Sequence, residues 1–267
     1  MKNLLNPRSP FFNVSTRLVA SESYHTATPF KHLILDDFFA EEVADAIAKD
    51  YPSEDHVAWK RYLNPLENKF LTNSWDVFSP LTYRVFSELN SSIFVQELEI
   101  LTGVSGLASD AGLHGGGLHM HGRGGRLNLH LDYSVHPKLN LQRRLNLLVY
   151  LTPNWNEEWG GELELWAGDK FKPFQVCHKI VPKFNRAIIF DTTTDSWHGL
   201  PEPIKCPDSI FRRSIALYYL SQPDSTQDSD RKKARFVPRP DQANDPEIEN
   251  LIRMRSDTIN AYKTYEK

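Results

Sequence analysis

Between Gly115 and Leu220 no stretch is suited to a helix of useful length, and this constrains the fold more than any other feature of the chain. Glycines are dense at the start of this region, at 115–117, 122 and 124–125. Short apolar runs broken by turn residues follow. LNLHLDYSV, RRLNLLVYLT, GGELELWA, FQVCHKIV, NRAIIFDT and RRSIALYYL each read as a β-strand. Parallel neighbours would need crossover connections of about a dozen residues or more, usually helical. The spacing has no room for them and predicts an antiparallel barrel or double sheet.

Upstream the pattern is different. Phe30 to Phe39 reads as a short strand leading into an amphipathic helix with Glu41, Glu42, Val43, Ala46 and Ile47, ending before Pro52. The two glutamates in its first turn complement the helix dipole. Leu81, Val85, Leu89 and Ile93 recur at helical spacing, Val95, Leu98 and Leu101 mark a second segment, and Gly103 ends it. Met1 to Thr28 reads as an irregular arm. After Leu220 the chain turns polar, then basic, and a last helix is expected from about Pro246 to Tyr262. The expected organisation is one domain, mainly β with flanking helices: an N-terminal arm and helical support over 1–112, a β core over 113–221, and a polar linker with a docked helix over 222–267.

Composition excludes more than it suggests. The 267 residues are 40% hydrophobic and 24% charged, ordinary for one large core. A net charge of −3 gives no electrostatic case for nucleic acid or an acidic membrane. The basic runs Arg143-Arg144 and Arg231-Lys232-Lys233 read as solvated surface. No apolar stretch approaches the roughly 20 residues that span a bilayer, and Met1 to Phe12 lacks the apolar centre of a secretory signal. Cys177 and Cys206 form no CxxC pair, against a zinc knuckle or a thioredoxin-like motif. Free thiols in a reducing cytoplasm are expected. Oligomeric state is not legible.

The string His130-Leu131-Asp132 carries the chemistry. Side chains two apart on a strand share a face. His130 and Asp132 therefore offer an imidazole and a carboxylate to one ion, and His198, on a later strand-like segment, completes a triangle. Two histidines and a carboxylate on one side of a metal leave open positions, the arrangement of non-haem Fe(II) oxygenases. His114, His119 and His121 are rival ligands, and a zinc-dependent hydrolase built on His119, His121 and His130 is the alternative they open. In FRRSIALYYL, alternation sets Arg212, Ser214, Ala216 and Tyr218 against Arg213, Ile215, Leu217 and Tyr219. The first face is small in its middle, so Arg212 is the expected inward guanidinium, with Arg213 as the outer alternative. An inward arginine requires an anion, and a dicarboxylate would supply it through bidentate hydrogen bonds.

HLDYSVHP, RRLNLLVYLTPNW, EEWGGELELW, NRAIIFDTTTDSWHG and RRSIALYYL, in that order over about residues 113–221, together resemble the Fe(II)/2-oxoglutarate-dependent oxygenases of the prolyl 4-hydroxylase-like superfamily. The resemblance implies a double-stranded β-helix (jelly-roll) core covered by the N-terminal helices. It implies Fe(II) on His130, Asp132 and His198, with 2-oxoglutarate and O2 as cosubstrates and ascorbate as an optional reductant. It places the far carboxylate of 2-oxoglutarate on Arg212 and Tyr150 and its carbon chain against Leu163. Some relatives have a tyrosine a few residues before the HxD strand, where this chain has Met120. The implied reaction is hydroxylation of an unactivated C–H bond with release of succinate and CO2.

Relatives act on prolyl residues, amino acids and sugars, so the expected substrate is a peptide or a small molecule. Candidate contacts are His114 to Arg126, the Tyr133 to Arg144 loop with His136, Lys138, Arg143 and Arg144, and Trp197. Trp155, Trp159 and Trp166 read as core packing rather than rim. A cupin-like metal- or sugar-binding protein without oxygen chemistry is the alternative function.

Overall fold

The computed structural model describes residues 9–13, 20–225, 228, 231–257 and 261–264. Helix α1 (Ala20–Thr26) lies within the stretch expected to be an irregular arm. Strand β1 (His32–Leu35) leads into α2 (Glu41–Lys49), and a hairpin that the sequence did not announce follows, β2 (Lys60–Asn64) and β3 (Glu67–Thr72). Helices α3 (Pro80–Leu89) and α4 (Ser92–Thr102) come next. Ser79 and Ser91 cap them by accepting from the amides of Thr82 and Phe94, and Gly103 closes α4 in the left-handed region at φ 70°.

The core then runs through β4 (Ala108–Ser109), β5 (Gly117–His121), β6 (Arg126–Leu131), β7 (Gln142–Tyr150), β8 (Leu163–Gly168), β9 (Pro173–Ile180), β10 (Ala187–Asp191), β11 (Trp197–Leu200), β12 (Arg212–Ser221) and the short β13 (Arg235–Phe236). Helix α5 (Pro246–Ser256) follows, capped by the Asp245 carboxylate. Residues 258–260 of the expected last helix lie outside the described residues. No helix among the described residues is long and apolar enough to cross a membrane.

The strands pair in the order β1-β10-β7-β12-β5-β3-β6-β11-β8-β9, with β2 on β3, β4 on β12 and β13 on β6. Every pairing is antiparallel. The path curls on itself. Ile188 and Phe190 of β10 meet Leu163 and Leu165 of β8 and Ile180 of β9 in one apolar cluster, although these strands lie far apart along the hydrogen-bonded order. The result is the jelly-roll core with flanking helices.

Strand parity decides what faces the interior. Leu145, Leu147 and Val149 of β7 and Ile215, Leu217 and Tyr219 of β12 point outward. They meet Val43 and Ile47 of α2, Val85, Phe86 and Leu89 of α3, and Phe94 and Leu98 of α4. At roughly 1.5–3 kcal/mol for each large apolar side chain fully buried, this layer is a major source of stability. The residues between them, Asn146, Leu148, Tyr150, Arg212 and Ser214, turn inward and are free to build a site. On the far side, α5 docks through Ile248 against Leu66 and Phe236.

Candidate metal and cosubstrate site

His130 and His198 are direct cross-strand partners on β6 and β11, so their rings meet with centroids 4.4 Å apart. Asp132 follows one residue after β6 and lies on the same side. His130 Nε2 is 3.6 Å from Asp132 Oδ1, and His198 Nε2 is 3.7 Å from Oδ2. Ligand atoms from the three residues all lie within 4.8 Å of one another, and all three residues are buried. His130 Nδ1 faces the Asn128 carbonyl at 3.0 Å and His198 Nδ1 the Ser196 carbonyl at 2.9 Å. A ring nitrogen facing a carbonyl carries the proton, so both Nε2 lone pairs point at the shared space. Phe236 stacks on His130, and Phe190 abuts His198 edge-on.

The electrostatics suit a cation. Burial pushes the His198 imidazole down to about 4, leaving it neutral near pH 7. Burial alone would raise the Asp132 carboxyl, but Arg143 at 2.9 Å, with the two histidines, holds it well below the usual carboxylate range. Asp132 Oδ2 is buried with no hydrogen-bond partner. A buried, ionised and unpartnered oxygen beside two imidazole lone pairs fits a divalent metal, and the mixed nitrogen and oxygen set suits Fe(II).

Two arginines brace the triad from behind, and neither run containing them is simply solvated. Arg143 is held between the Tyr133 and Tyr218 rings. Arg231, buried, donates from Nε to the Asp132 backbone carbonyl at 2.7 Å and from Nη2 to that of Thr193 at 3.1 Å. Arg144 ion-pairs with the buried Asp191, and His136 lies 3.4 Å from Asp110. Arg143 and Arg231 are thus buried rather than solvated as expected, because charge alone does not tell which residues of a loop turn inward.

The triad opens on a cavity of about 270 Å³. Arg212, buried, reaches into it from β12, donating from Nε to the Gly161 carbonyl at 2.7 Å and from Nη2 to the Tyr150 hydroxyl at 3.0 Å. Gly161, at φ +87°, brings that carbonyl close, and a side chain there would press on Trp155. Leu163 lines the same wall. Arg213 points away, donating to the Ala48 carbonyl and lying over Tyr51.

His119 and His121 also face the cavity, as cross-strand partners of Ser214 and Arg212. Burial pushes His119 down to about 3 and His121 well below its usual value, so both are neutral. They do not gather with His130: among the described residues only His130, Asp132 and His198 form a metal-competent group. That removes the geometry of the zinc alternative. Met120, between them, points into the helix-covered core. Trp197 is also turned away from the cavity, with its indole on the Asp169 carbonyl. Glu67, Lys69, Lys60 and Tyr62 of the β2–β3 hairpin line the mouth and carried no sequence signal.

Residues 116–220 match the family model of the 2OG-Fe(II) oxygenase superfamily. Among curated proteins, the prolyl 3-hydroxylase OGFOD1 of Mus musculus is 31% identical over 78 residues, 29% of this chain and only 14% of that protein. Among solved structures, a Pseudomonas putida prolyl-4-hydroxylase superposes with a TM-score of 0.53 at 12% identity, over 76% of this chain and 98% of its own. A Trichoplax adhaerens prolyl hydroxylase, solved with a hypoxia inducible factor peptide, gives 0.52 at 18% identity, over 75% and 89%. At these identities the structures speak for the fold. Over the matched segment, which spans all three residues of the buried cluster, the chain is similar to the 2OG-Fe(II) oxygenase superfamily.

Proposed function

We propose that the chain is an Fe(II)- and 2-oxoglutarate-dependent dioxygenase that hydroxylates an unactivated C–H bond of a prolyl or other peptidyl residue, or of a small molecule such as a sugar. The observation that carries this reading is the buried convergence of His130, Asp132 and His198, with both imidazoles oriented by backbone carbonyls. These three would hold the iron. Fe(II) with 2-oxoglutarate supplies oxygen activation, coupled to release of succinate and CO2.

The chain's own residues bind and orient. Arg212 and Tyr150 would take the far carboxylate of 2-oxoglutarate. Burial raises the Tyr150 hydroxyl above its ordinary value, so it stays protonated, accepting from Arg212 and keeping its own proton to donate. Leu163 would pack the carbon chain. Arg143 keeps Asp132 ionised, and Arg231 fixes its backbone. The relatives named as prolyl hydroxylases support a peptidyl substrate. The two free thiols suit a reducing cytoplasm.

The test is Fe(II)-dependent succinate release from 2-oxoglutarate across peptides, amino acids and sugars. Release that requires iron and is stimulated by one substrate class supports the reading. Tight metal binding with no release under any condition would replace it with a metal-binding protein on the same barrel.

A further inference from the structure

The charge of the cavity is opposite in sign to that of the chain. The chain has a net charge of −3, yet the described residues lining the cavity include seven lysines and arginines against two carboxylates. Asp132 is matched by Arg143. Glu67, fully buried, is shared by Lys69 at 3.3 Å and Arg255 at 2.8 Å. Among the described residues Lys60 reaches only the Asn73 amide oxygen, at 2.9 Å, and Lys232 and Lys233 ion-pair with no carboxylate. A doubly charged 2-oxoglutarate and Fe(II) would cancel each other and leave this excess untouched.

These cations come from three separate parts of the chain. Lys60 and Lys69 stand on the β2–β3 hairpin, Lys232 and Lys233 on the segment before β13, and Arg255 at the end of α5. Like charges from distant segments crowd one mouth at an electrostatic cost that an anion relieves. Burial and the neighbouring Arg255 already push the Lys233 ammonium below its ordinary value. A cleft lined with one sign of charge also concentrates ligands of the opposite sign.

We propose that the substrate of this site is anionic, carrying phosphate or carboxylate groups that Lys60, Lys69, Lys232, Lys233 and Arg255 bind at the cavity mouth. The reaction on that substrate rests on the oxygenase reading above, whereas the anion site rests on the cavity alone. A neutral peptide or sugar leaves the lysines unpaired, and a basic one is repelled.

The test is calorimetric titration of the metal-free full chain with inorganic pyrophosphate and with propane-1,2,3-tricarboxylate. One saturable site per chain is expected, and the tighter probe identifies the anionic group. A Lys232→Ser/Lys233→Ser double variant should weaken it at least about tenfold, and Lys60→Ser, on a different element, severalfold. All three lysines are exposed or half-buried, so the variants keep the fold. Arg212→Ala should leave the affinity within about twofold. Absence of saturable binding by both probes overturns the proposal. So does binding that survives the lysine changes but disappears in Arg212→Ala, which would put the anion in the 2-oxoglutarate pocket. Succinate release reports separately on the oxygenase reading: its absence beside intact anion binding removes the reaction and leaves the anion site standing.

Discussion

Arg143 Nη1 lies 2.9 Å from Asp132 Oδ1, and the same guanidinium is clamped between Tyr133 and Tyr218, 3.6 and 3.4 Å from their ring centroids. The stacked rings fix the plane of the guanidinium, and the guanidinium in turn fixes the carboxylate. One carboxylate oxygen is thereby engaged, and Oδ2 is left without a hydrogen-bond partner beside the two imidazoles. Lysine could supply the charge but not the stacked fork.

Replacing Arg143 with Met should therefore weaken metal binding by about 10–100-fold near neutral pH, the usual range for loss of a partner behind a metal ligand. The pH dependence should change as well. In the native protein Asp132 is held far below the ordinary carboxylate range, so metal binding displaces no proton from it at working pH. Without Arg143, burial dominates and raises the carboxyl, so affinity should climb as pH rises. Mn(II) titrations between pH 5.5 and 8.5 check this (pH values set by the ordinary carboxylate and imidazole ranges, roughly). A loss of affinity that is uniform across this range would reject the role assigned to Arg143.

The triad variants should separate chemistry from stability. Both His198→Ala and Asp132→Ala should abolish Fe(II)-dependent succinate release, since each removes a ligand. Only Asp132→Ala strands a fully buried arginine, which typically costs about 3–5 kcal/mol. Thermal unfolding of the metal-free proteins should show a large drop for Asp132→Ala and a small one for His198→Ala. Equal drops would mean that Arg143 finds another partner.

Arg212 and Arg213 are neighbours in sequence that point in opposite directions, one into the cavity and the other onto Ala48 and Tyr51. Arg212→Ala should raise the 2-oxoglutarate concentration needed for half-maximal succinate release by at least about tenfold, as loss of a charge-assisted hydrogen bond worth about 1.5–3 kcal/mol requires. Arg213→Ala should leave that requirement unchanged and lower stability instead, because its guanidinium bonds Ala48 and covers Tyr51. Steady-state kinetics on both variants decides it. A shift confined to Arg213→Ala would reverse the assignment.

The inward and outward placement of the two arginines is legible in the sequence, because period-two alternation on a strand is a strong geometric rule and RRSIALYYL has one small and one bulky face. The same rule put His130 and Asp132 together. The antiparallel core was legible from the lack of room for crossovers, and α4 from its spacing and Gly103. The hairpin β2–β3 was not. KRYLN and ENKFLT are mostly polar and only partly buried, so they lack the apolar alternation of a sheet covered on one face. The cavity mouth was hidden for a related reason. Lys60, Lys232 and Arg255 belong to three distant segments, and only the paths of the hairpin, the β13 segment and α5 bring them together. The helix α1 is a single short element with little pattern to display.

Gly117 ties the hairpin to the core, and its substitution gives the sharpest test of that packing. It stands at φ +105° at the start of β5, and a methyl group there would overlap the Thr72 carbonyl oxygen of β3. The obstacle is backbone, so no side chain can rotate away. Thr72 and Leu118 are paired at this point, and relieving the clash would part the two strands. Gly106 is the control: it has φ +70°, but a methyl group there meets nothing within 4 Å. Both substitutions carry the cost of a left-handed backbone, about 1 kcal/mol, but only Gly117→Ala adds a steric term, bringing its total to roughly 3 kcal/mol or more. In a domain of this size that corresponds to a melting temperature lower by roughly 6–12 °C for Gly117→Ala and about 2–4 °C for Gly106→Ala. Matching losses in a thermal melt would show that β3 yields to the methyl group and that the hairpin is only loosely held. A much larger loss for Gly117→Ala would show that the strand bearing Lys69 and Glu67 is fixed against the barrel.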